Sequence, residues 1–347
     1  MIPLGIYTRY SAAGASSRLR YLRYVEHLRR CGFDVRTHAL LPERYLNALY
    51  SGRSESFTAA VSLLKRLCGL ARAEKNLWIE YELLPYLPHA LEKLMIRGRR
   101  YVLNFDDAVY LKYRGRSFLD GKYERLAAGA AGVMAANDAL LEHFSRVNPN
   151  TVKIPTAVDT DALAPAEIGF DRFTVAWIGT PVTFKAHLEP FLPMFGAIRR
   201  EFDFELLAIG GPADTPRALP DWLRILPWSE NTERTVLPRC HAGIMPLPEH
   251  DEFAAGKSAY KLLQYLAAGV PAIASPVGEN RLVVKPGTTG FTATTPAEWR
   301  AALQMLISDE CLRKNMARNA RRDAENYSVA RFAPVIADFL KKSFAEA

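Results

Sequence analysis

Two lysines and a glutamine stand about one helical turn apart in the second half of this 347-residue chain. Lys257, Lys261 and Gln264 occupy positions i, i+4 and i+7 of a run that we predict to be a helix from Gly256 to Gly269, so they would share one face. Lysines in the first turns of a helix are unfavourable beside its partly positive N-terminus unless an anion binds there. The spacing therefore favours a diphosphate site, in which two ammonium groups and free backbone amides neutralise the ligand. The alternative is that both side chains simply reach into water.

A second group of small and basic residues follows the first predicted strand, residues 2–8. Gly14 lets the backbone approach a ligand closely, Ser16 begins the next helix, and Arg18 lies in its first turn. Together they form a candidate anion site. The same residues suit an ordinary strand-to-helix turn with a serine cap, and the sequence does not separate the two interpretations.

Short β-rich stretches alternate with amphipathic helical stretches along the chain. The alternation predicts parallel βαβ sheets, and because it restarts near residue 170 we expect two of them, joined by a linker at 158–171. Ligands bind at the carboxyl ends of parallel strands, so a cleft between two facing sheets is the expected site. The predicted strands span residues 2–8, 33–41, 77–81, 100–105, 132–135, 173–178, 204–209, 223–226, 242–245 and 272–275.

The composition is that of a folded protein with an uneven distribution of charge. Hydrophobic residues make up 49% of the chain and charged residues 24%, which excludes wholesale disorder, and no apolar run is long enough to span a membrane. The formal net charge is +8, and residues 1–150 contain 23 basic against 14 acidic residues, so the first half would attract anions. Four widely spaced cysteines without a C-x-x-C pair indicate reduced thiols and a cytoplasmic location.

Two stretches of the basic half, 43–75 and 93–100, mix cations with apolar residues. Such a mixture on helices suits the surface of an anionic membrane, so we expect peripheral docking there, at the inner face of the membrane. The alternative is that these helices pack their apolar faces on their own domain. Nucleic-acid binding is not expected, because the chain has no recognised nucleic-acid-binding motif.

The segment 256–278 resembles the C-terminal signature of family 4 glycosyltransferases, the glycosyl transferases of group 1. The resemblance implies the GT-B fold, in which two Rossmann-like domains face each other across a central cleft. It also implies an acceptor-side domain at 1–160, a nucleotide-sugar-binding domain at 172–325, and a C-terminal helix at 326–347 that crosses back to the first domain. Further stretches similar to the family are 155–161, 175–180, 204–211, 228–230 and 242–247.

The resemblance implies a retaining, hexosyltransferase-type enzyme of glycan biosynthesis. Such an enzyme moves a sugar from a nucleotide-diphosphate donor to a glycan, lipid-linked or envelope acceptor. No metal or other cofactor is expected, because cations of the protein would neutralise the leaving diphosphate. By this resemblance Lys257, Lys261 and Lys185 are the catalytic cations. The donor-binding residues would be Gly14, Ser16, Arg18, Gly179, Gly210, Trp228, Gly256, Gln264 and Glu279.

The chain departs from the family pattern at one place. Many members have a Glu-x7-Glu pair, but this chain has Gly256 and Gln264 there, so the contacts of that pair to sugar or ribose hydroxyls are not carried over. The Gln264 amide can still bond a ribose hydroxyl. The alternative functions are a nucleotide-sugar epimerase of the same fold, or a relative that only binds an anion or a nucleic acid. For Asp106 and Asp107 we expect an acceptor-side or loop-capping role rather than metal binding.

Overall fold

Two parallel six-stranded sheets form the framework of the described chain, each within a unit of its own. The computed structural model describes residues 1–167, 169–212, 219–249 and 252–345. The first unit comprises residues 1–157, 256–258 and the described chain from 330 onward, and the second comprises the described residues of 158–255 and 259–329. The predicted α/β fold class, with two Rossmann-like sheets, is confirmed.

The first sheet combines six strands with helices that follow them along the chain. Its strands are β1 (Ile2–Tyr10), β2 (Phe33–Leu41), β3 (Asn76–Glu80), β4 (Arg100–Phe105), β5 (Gly132–Ala135) and β6 (Thr151–Lys153). Its helices are α1 (Ala15–Arg20), α2 (Val25–Arg30), α3 (Glu43–Tyr50), α4 (Ser56–Leu70), α5 (His89–Met95), α6 (Lys122–Ala128) and α7 (Asp138–Ser145). The strand order is β2-β1-β3-β4-β5-β6. Strands β3 and β5 are buried along their whole length, as parallel strands covered on both faces should be.

The second sheet repeats the plan with a different strand order. Its strands are β7 (Thr174–Ile178), β8 (Glu205–Ile209), β9 (Leu223–Leu226), β10 (Ala242–Met245), β11 (Ala272–Ala274) and β12 (Gly290–Thr292). Its helices are α8 (Pro181–His187), α9 (Leu192–Arg199), α10 (Glu230–Val236), α11 (Glu252–Ala255), α12 (Tyr260–Ala267), α13 (Asn280–Val283), α14 (Pro296–Ser308) and α15 (Glu310–Ala324). The strand order is β12-β11-β10-β7-β8-β9, so the direction of winding reverses between β7 and β10.

The last helix, α16 (Val329–Phe344), packs in the first unit from residue 330 onward. Arg100 Nε, on β4, donates a hydrogen bond to the carbonyl oxygen of Ser343 at 3.1 Å. A Cβ atom on Gly132 of β5 would lie 2.7 Å from the ring of Phe339, so helix and sheet are in close contact. Within the described ranges, no helix combines the length and the apolarity that crossing a membrane requires.

Tyr21 interrupts the helix that the sequence predicts from Ser16 onward. Its backbone has φ of −134°, which ends α1, and a short 3-10 turn then leads into α2. The buried phenol donates to two strand carbonyls of the first sheet, those of Ile79 and Asn104, each at 3.2 Å. These two hydrogen bonds hold the Tyr21 side chain against the strands. In a regular helix, the side chain would lie away from them.

Candidate functional site

Two glycine turns meet at the carboxyl edge of the second sheet. Gly179 follows β7, and Gly210 follows β8 with φ of +81°. A Cβ atom on Gly210 would lie 2.1 Å from the carbonyl oxygen of Gly179, so only glycine fits there. Open α/β sheets bind ligands outside the carboxyl ends of their strands where the strand order reverses, and β7 adjoins that point. The two turns therefore allow a ligand to approach the backbone closely.

Lys261 of α12 lies at the same edge. Its Nζ is 4.0 Å from the ring centroid of Trp177, which is fully buried in β7 two residues before Gly179. A Cβ atom on Gly179 would lie 2.3 Å from that ring, so the ammonium group and the Gly179 turn both contact the Trp177 indole. This cation–π contact holds a positive charge at the end of β7.

Gln264 lies about one turn after Lys261 on α12 and is buried. An amide offers both donors and an acceptor, so a ligand hydroxyl could bond to it in either direction.

Lys257 does not lie on the helix of Lys261, and the prediction of a shared helix face is wrong. Helix α12 begins at Tyr260 rather than at Gly256. Ala259, directly before the helix, has a left-handed backbone with φ of +51°, which separates the preceding residues from the helical turn.

Residues 256–258 instead belong to the first unit. Asn137 Nδ2, after β5, donates to the carbonyl oxygens of Gly256 at 2.7 Å and Lys257 at 3.3 Å. A Cβ atom on Gly256 would lie 2.4 Å from the Cβ of Ala108, so the close approach requires glycine. Gly256 is therefore needed for packing of this loop on the first unit.

Three other predicted site residues have different surroundings. Trp228 follows β9, is half-buried, and its Nε1 donates to Glu233 Oε2 at 3.0 Å. Glu279 is buried at the start of α13, directly after Gly278, where a Cβ atom would lie 2.2 Å from the carbonyl oxygen of Ala255. Lys185 is exposed on α8.

Glu80, at the end of β3, accepts hydrogen bonds from the end of β1 and the start of α1. It accepts hydrogen bonds from Ser16 Oγ and Ser17 Oγ, each at 2.6 Å, and from the Arg9 amide at 2.7 Å. Burial raises the pKa of the Glu80 carboxyl, and these hydrogen bonds oppose the rise. Sequence reasoning missed Glu80, although a single acidic residue ending an apolar strand was a usable signal.

Gly14 and Arg18 close the same loop of the first unit. A Cβ atom on Gly14 would lie 2.4 Å from the Cβ of Tyr10, so the glycine is needed where the chain turns back against β1. Arg18 Nη1 donates to the carbonyl oxygen of Ala12 at 2.8 Å, across the turn. Both residues, together with Ser16, thus make contacts that an ordinary strand-to-helix turn requires.

Asp106 and Asp107 lie at the carboxyl edge of the first sheet, directly after β4. The Tyr81 hydroxyl donates a hydrogen bond to Asp106 Oδ1. Burial and the charge of Asp106 raise the pKa of Asp107 to about 6, while Lys257 and Lys112 oppose the rise. Across the described residues, no group of three or more His, Cys, Asp or Glu side chains is arranged to hold a metal ion.

Gly210→Ala should destabilise the protein. The new methyl group would meet the Gly179 carbonyl at 2.1 Å, and the backbone has φ of +81°. We expect a loss of about 2–3 kcal/mol in the free energy of unfolding, measured in urea. The matched control is Gly287→Ala, where φ is +73° but no atom lies within 4 Å of the added Cβ. Equal losses in both variants would contradict the close contact of the two turns.

Solved structures of known proteins share this fold over nearly the whole chain. Sucrose-phosphate synthase from Thermosynechococcus elongatus matches with a TM-score of 0.73 at 15% identity, covering 100% of both chains. A glycosyltransferase from Rickettsia africae ESF-5 gives 0.71 at 11% identity, covering 100% of this chain and 99% of the other. Anabaena Alr3699/HepE, solved in complex with UDP and glucose, gives 0.69 at 13% identity, covering 98% of this chain and 100% of the other. At these identities the likeness shows the fold.

That fold is of the GT-B type. Residues 172–309, which include all six strands of the second sheet, match the family model of glycosyl transferases group 1. The resemblance found in the sequence is therefore confirmed over these residues. No curated protein sequence matches it.

Proposed function

We propose that this enzyme transfers a sugar from a nucleoside-diphosphate donor to a glycan or lipid-linked acceptor, with retention of the anomeric configuration. The observation that carries the proposal is the position of the Lys261 ammonium group, which shares the Trp177 indole with the Gly179 turn. A half-buried cation and close-packed glycine turns at a strand-order reversal suit a diphosphate. Because HepE has been solved with UDP-glucose, uridine diphosphate sugars are the first donors to test.

The chemistry demands stabilisation of the leaving group. The bond between the anomeric carbon and the diphosphate oxygen breaks, and its electron pair stays on the diphosphate. The acceptor oxygen bonds to the sugar, and the proton of the acceptor hydroxyl passes to the departing diphosphate. Lys261 would meet the negative charge that develops on the diphosphate, and such preorganised stabilisation is usually the largest single contribution to the rate. The amide of Gln264, one turn away, would bond a ribose or sugar hydroxyl.

Four further predicted residues keep proposed roles in the reaction. Lys185 and Lys257 remain candidate cations for the reaction, and Trp228 and Glu279 remain candidate contacts to the nucleoside. We propose that the reaction needs no metal ion, because side-chain cations supply the charge. Transfer should then continue at the same rate in the presence of EDTA.

The direct test is a product assay with a panel of uridine, guanosine and adenosine diphosphate sugars and candidate acceptors. Proton NMR of the new glycosidic bond reports the configuration at the anomeric carbon. Retention together with a requirement for an acceptor is the expected result. Conversion of the donor without any acceptor would contradict transfer and indicate an epimerase.

An apolar stripe on α4 supports the further proposal that the enzyme docks on a membrane. Phe57 is 82% exposed, and Leu64, two turns further along, is 62% exposed. Cys68 is exposed one turn beyond Leu64. The spacing i, i+7 and i+11 places the three side chains on one face of the helix, which we call the α4 stripe.

Exposed cations flank the α4 stripe, but one predicted member of this surface is buried. Arg66 Nη2 donates to the carbonyl oxygens of Thr8 at 3.1 Å and His38 at 2.8 Å, so it holds α4 on the sheet instead of facing outward. The alternation of apolar and basic residues in the sequence could not show which arginine turns inward. The exposed cations of the stretch include Arg44, Arg53, Lys65 and Arg72.

The second basic stretch, 93–100, adjoins the end of α4. The Arg99 guanidinium donates to the carbonyl oxygens of Ala71 and Ala73, each at 3.4 Å. Leu94 of this stretch is 58% exposed. We propose that both stretches together face anionic lipid at the inner membrane surface, with the α4 stripe inserted among the head groups.

Replacing Phe57 and Leu64 together by serine should reduce binding to vesicles that contain phosphatidylglycerol at least about tenfold, because two apolar side chains no longer leave water. Co-sedimentation at low and high salt measures it, and binding of the unmodified protein should weaken with salt. The control is Leu282→Ser, an apolar side chain of the second unit that is 50% exposed. Absence of vesicle binding at low salt would remove the proposal, as would full binding by the double variant.

A further inference from the structure

Asn137 makes two different kinds of contact from a single buried side chain. Its Oδ1 accepts a hydrogen bond from the Leu140 amide at 2.8 Å and so caps α7. Its Nδ2 donates to the carbonyl oxygens of Gly256 and Lys257, residues that lie more than a hundred positions away in the sequence. The capping role needs only the oxygen, so the nitrogen is the atom that fixes the 256–258 loop.

The loop that Asn137 fixes lies against the segment that follows β4. Gly256 approaches Ala108 so closely that a Cβ atom would lie 2.4 Å from the Cβ of that alanine. Ala108 is the residue next to Asp107, and the charge of Lys257 lowers the pKa of the Asp107 carboxyl. Asn137 therefore fixes the backbone of Gly256 and Lys257 beside the segment that carries Asp107.

The groups that face Asp107 come from several elements of the first unit. Asp106 precedes it, with the Tyr81 hydroxyl from the end of β3 as its donor. Lys112 comes from the 3-10 turn that follows, and Lys257 from the fixed loop. Arg9, at the end of β1, acts on the charge of Lys112.

We propose that Asn137 is a positioning residue of the transfer reaction: it holds Lys257 next to Asp107, so that a charged Asp107 can accept a hydrogen bond from an acceptor hydroxyl. The inference rests on the proposed transferase function and assigns Lys257 to the first unit. Lys261 retains its proposed contact to the donor diphosphate. The sequence predicted that both lysines bind one ligand. The position of the 256–258 loop gives the two lysines different roles.

The test is the pH dependence of transfer in matched variants. The unmodified enzyme should lose activity as the pH falls through about 6, where Asp107 becomes protonated. The fall in activity on the acid side of the pH profile is called the acid limb. Lys257→Met removes a positive charge, and the acid limb should move to higher pH. Asn137→Ser keeps a helix-capping oxygen but loses the donor to the loop, and its limb should move in the same direction. Asp107→Asn should lose at least about tenfold in rate and show no limb near pH 6.

A buried asparagine elsewhere in the first unit provides the control for a merely structural effect. Asn148 Nδ2 also donates to two backbone carbonyls, those of Ala127 at 2.8 Å and Ala130 at 2.9 Å. Asn148→Ser should lower the melting temperature without moving the acid limb. An unmoved limb in Asn137→Ser, or a limb that persists in Asp107→Asn, would overturn the proposal.

A second readout requires no substrate and separates this proposal from the transferase function. The pKa of Asp107 is higher in the folded chain than in the unfolded one, so its ionisation costs stability as the pH rises from about 4 to 6. Asp107→Asn should therefore melt at a higher temperature than the unmodified protein at pH 8, and the gain should vanish near pH 4. Lys257→Met or Asn137→Ser, each made in the protein that keeps Asp107, should enlarge this loss of stability at pH 8. If these shifts occur without any transfer activity, only the proposed function fails; if they are absent, the placement of Lys257 is wrong.

Discussion

Lys261→Met should lower the rate of sugar transfer about 10²–10³-fold while the protein stays folded. The methionine preserves much of the length of the side chain next to Trp177 but removes the positive charge at the end of β7. Loss of one preorganised group that stabilises transition-state charge costs about 2.7–4 kcal/mol in activation free energy, which corresponds to this factor. The measurement is kcat with a saturating nucleotide-sugar donor, accompanied by a melting curve.

The matched control for this variant is Lys314→Met. Lys314 lies on α15 and pairs with Glu310 at 2.7 Å on an exposed helix surface, where its side chain is 67% exposed. An exposed pair of this kind contributes less than about 1 kcal/mol, and activity should be unchanged. Equal activity of Lys261→Met and Lys314→Met would contradict the assignment of Lys261 to the leaving group.

A buried lysine in the first unit gives the second large effect. Lys122 has no exposed surface, and its Nζ donates to Glu82 Oε2 at 2.6 Å and lies 3.0 Å from Glu92 Oε2. The same ammonium group donates to the carbonyl oxygen of Leu84 at 2.7 Å. These bonds connect the segment after β3 with α5 and α6, so one charge compensates two buried carboxyl groups.

Lys122→Met should therefore cost about 3–5 kcal/mol in the free energy of unfolding, because it leaves two carboxyl groups buried without a cation. Burial already raises the pKa of Glu92, and Lys122 opposes that rise. The deficit should shrink as the pH falls from 8 to 5, since protonation removes the buried negative charge. Urea unfolding at several pH values measures both the loss in the free energy of unfolding and its dependence on pH.

An exposed ion pair separates this effect from the general loss of a lysine. Lys314 pairs with Glu310 at 2.7 Å, and the two side chains are 67% and 62% exposed. Lys314→Met should cost less than about 1 kcal/mol at every pH. A similarly small loss in Lys122→Met would show that the buried network does not stabilise the fold.

The sequence predicted the framework because strands and turns are local features. β4, β5, β9 and β10 begin and end where the apolar runs predicted, and Gly179 and Gly210 stand directly after strands. The short edge strands β6 and β12 were missed. Each has three residues, too few for a recognisable period.

The start of the lysine helix could not be predicted, because its cause lies far away in the chain. A glycine before an apolar periodic run is an ordinary sign of a helix start. Here Asn137 bonds the Gly256 and Lys257 carbonyls, and Ala259 turns left-handed. The same limit applies to Glu80, whose partners lie more than sixty residues away.

The central claim is that the second unit binds a nucleoside diphosphate through Lys261. The most direct measurement is the thermal stability of the unmodified protein, Lys261→Met and Lys314→Met with uridine, guanosine and adenosine diphosphates. A ligand at about 100 times its dissociation constant adds about 2.7 kcal/mol to the stability of the state that binds it. We predict a stabilisation with one base, lost in Lys261→Met and kept in Lys314→Met. Stabilisation by none of the three, or an equal effect in Lys261→Met, would contradict the account.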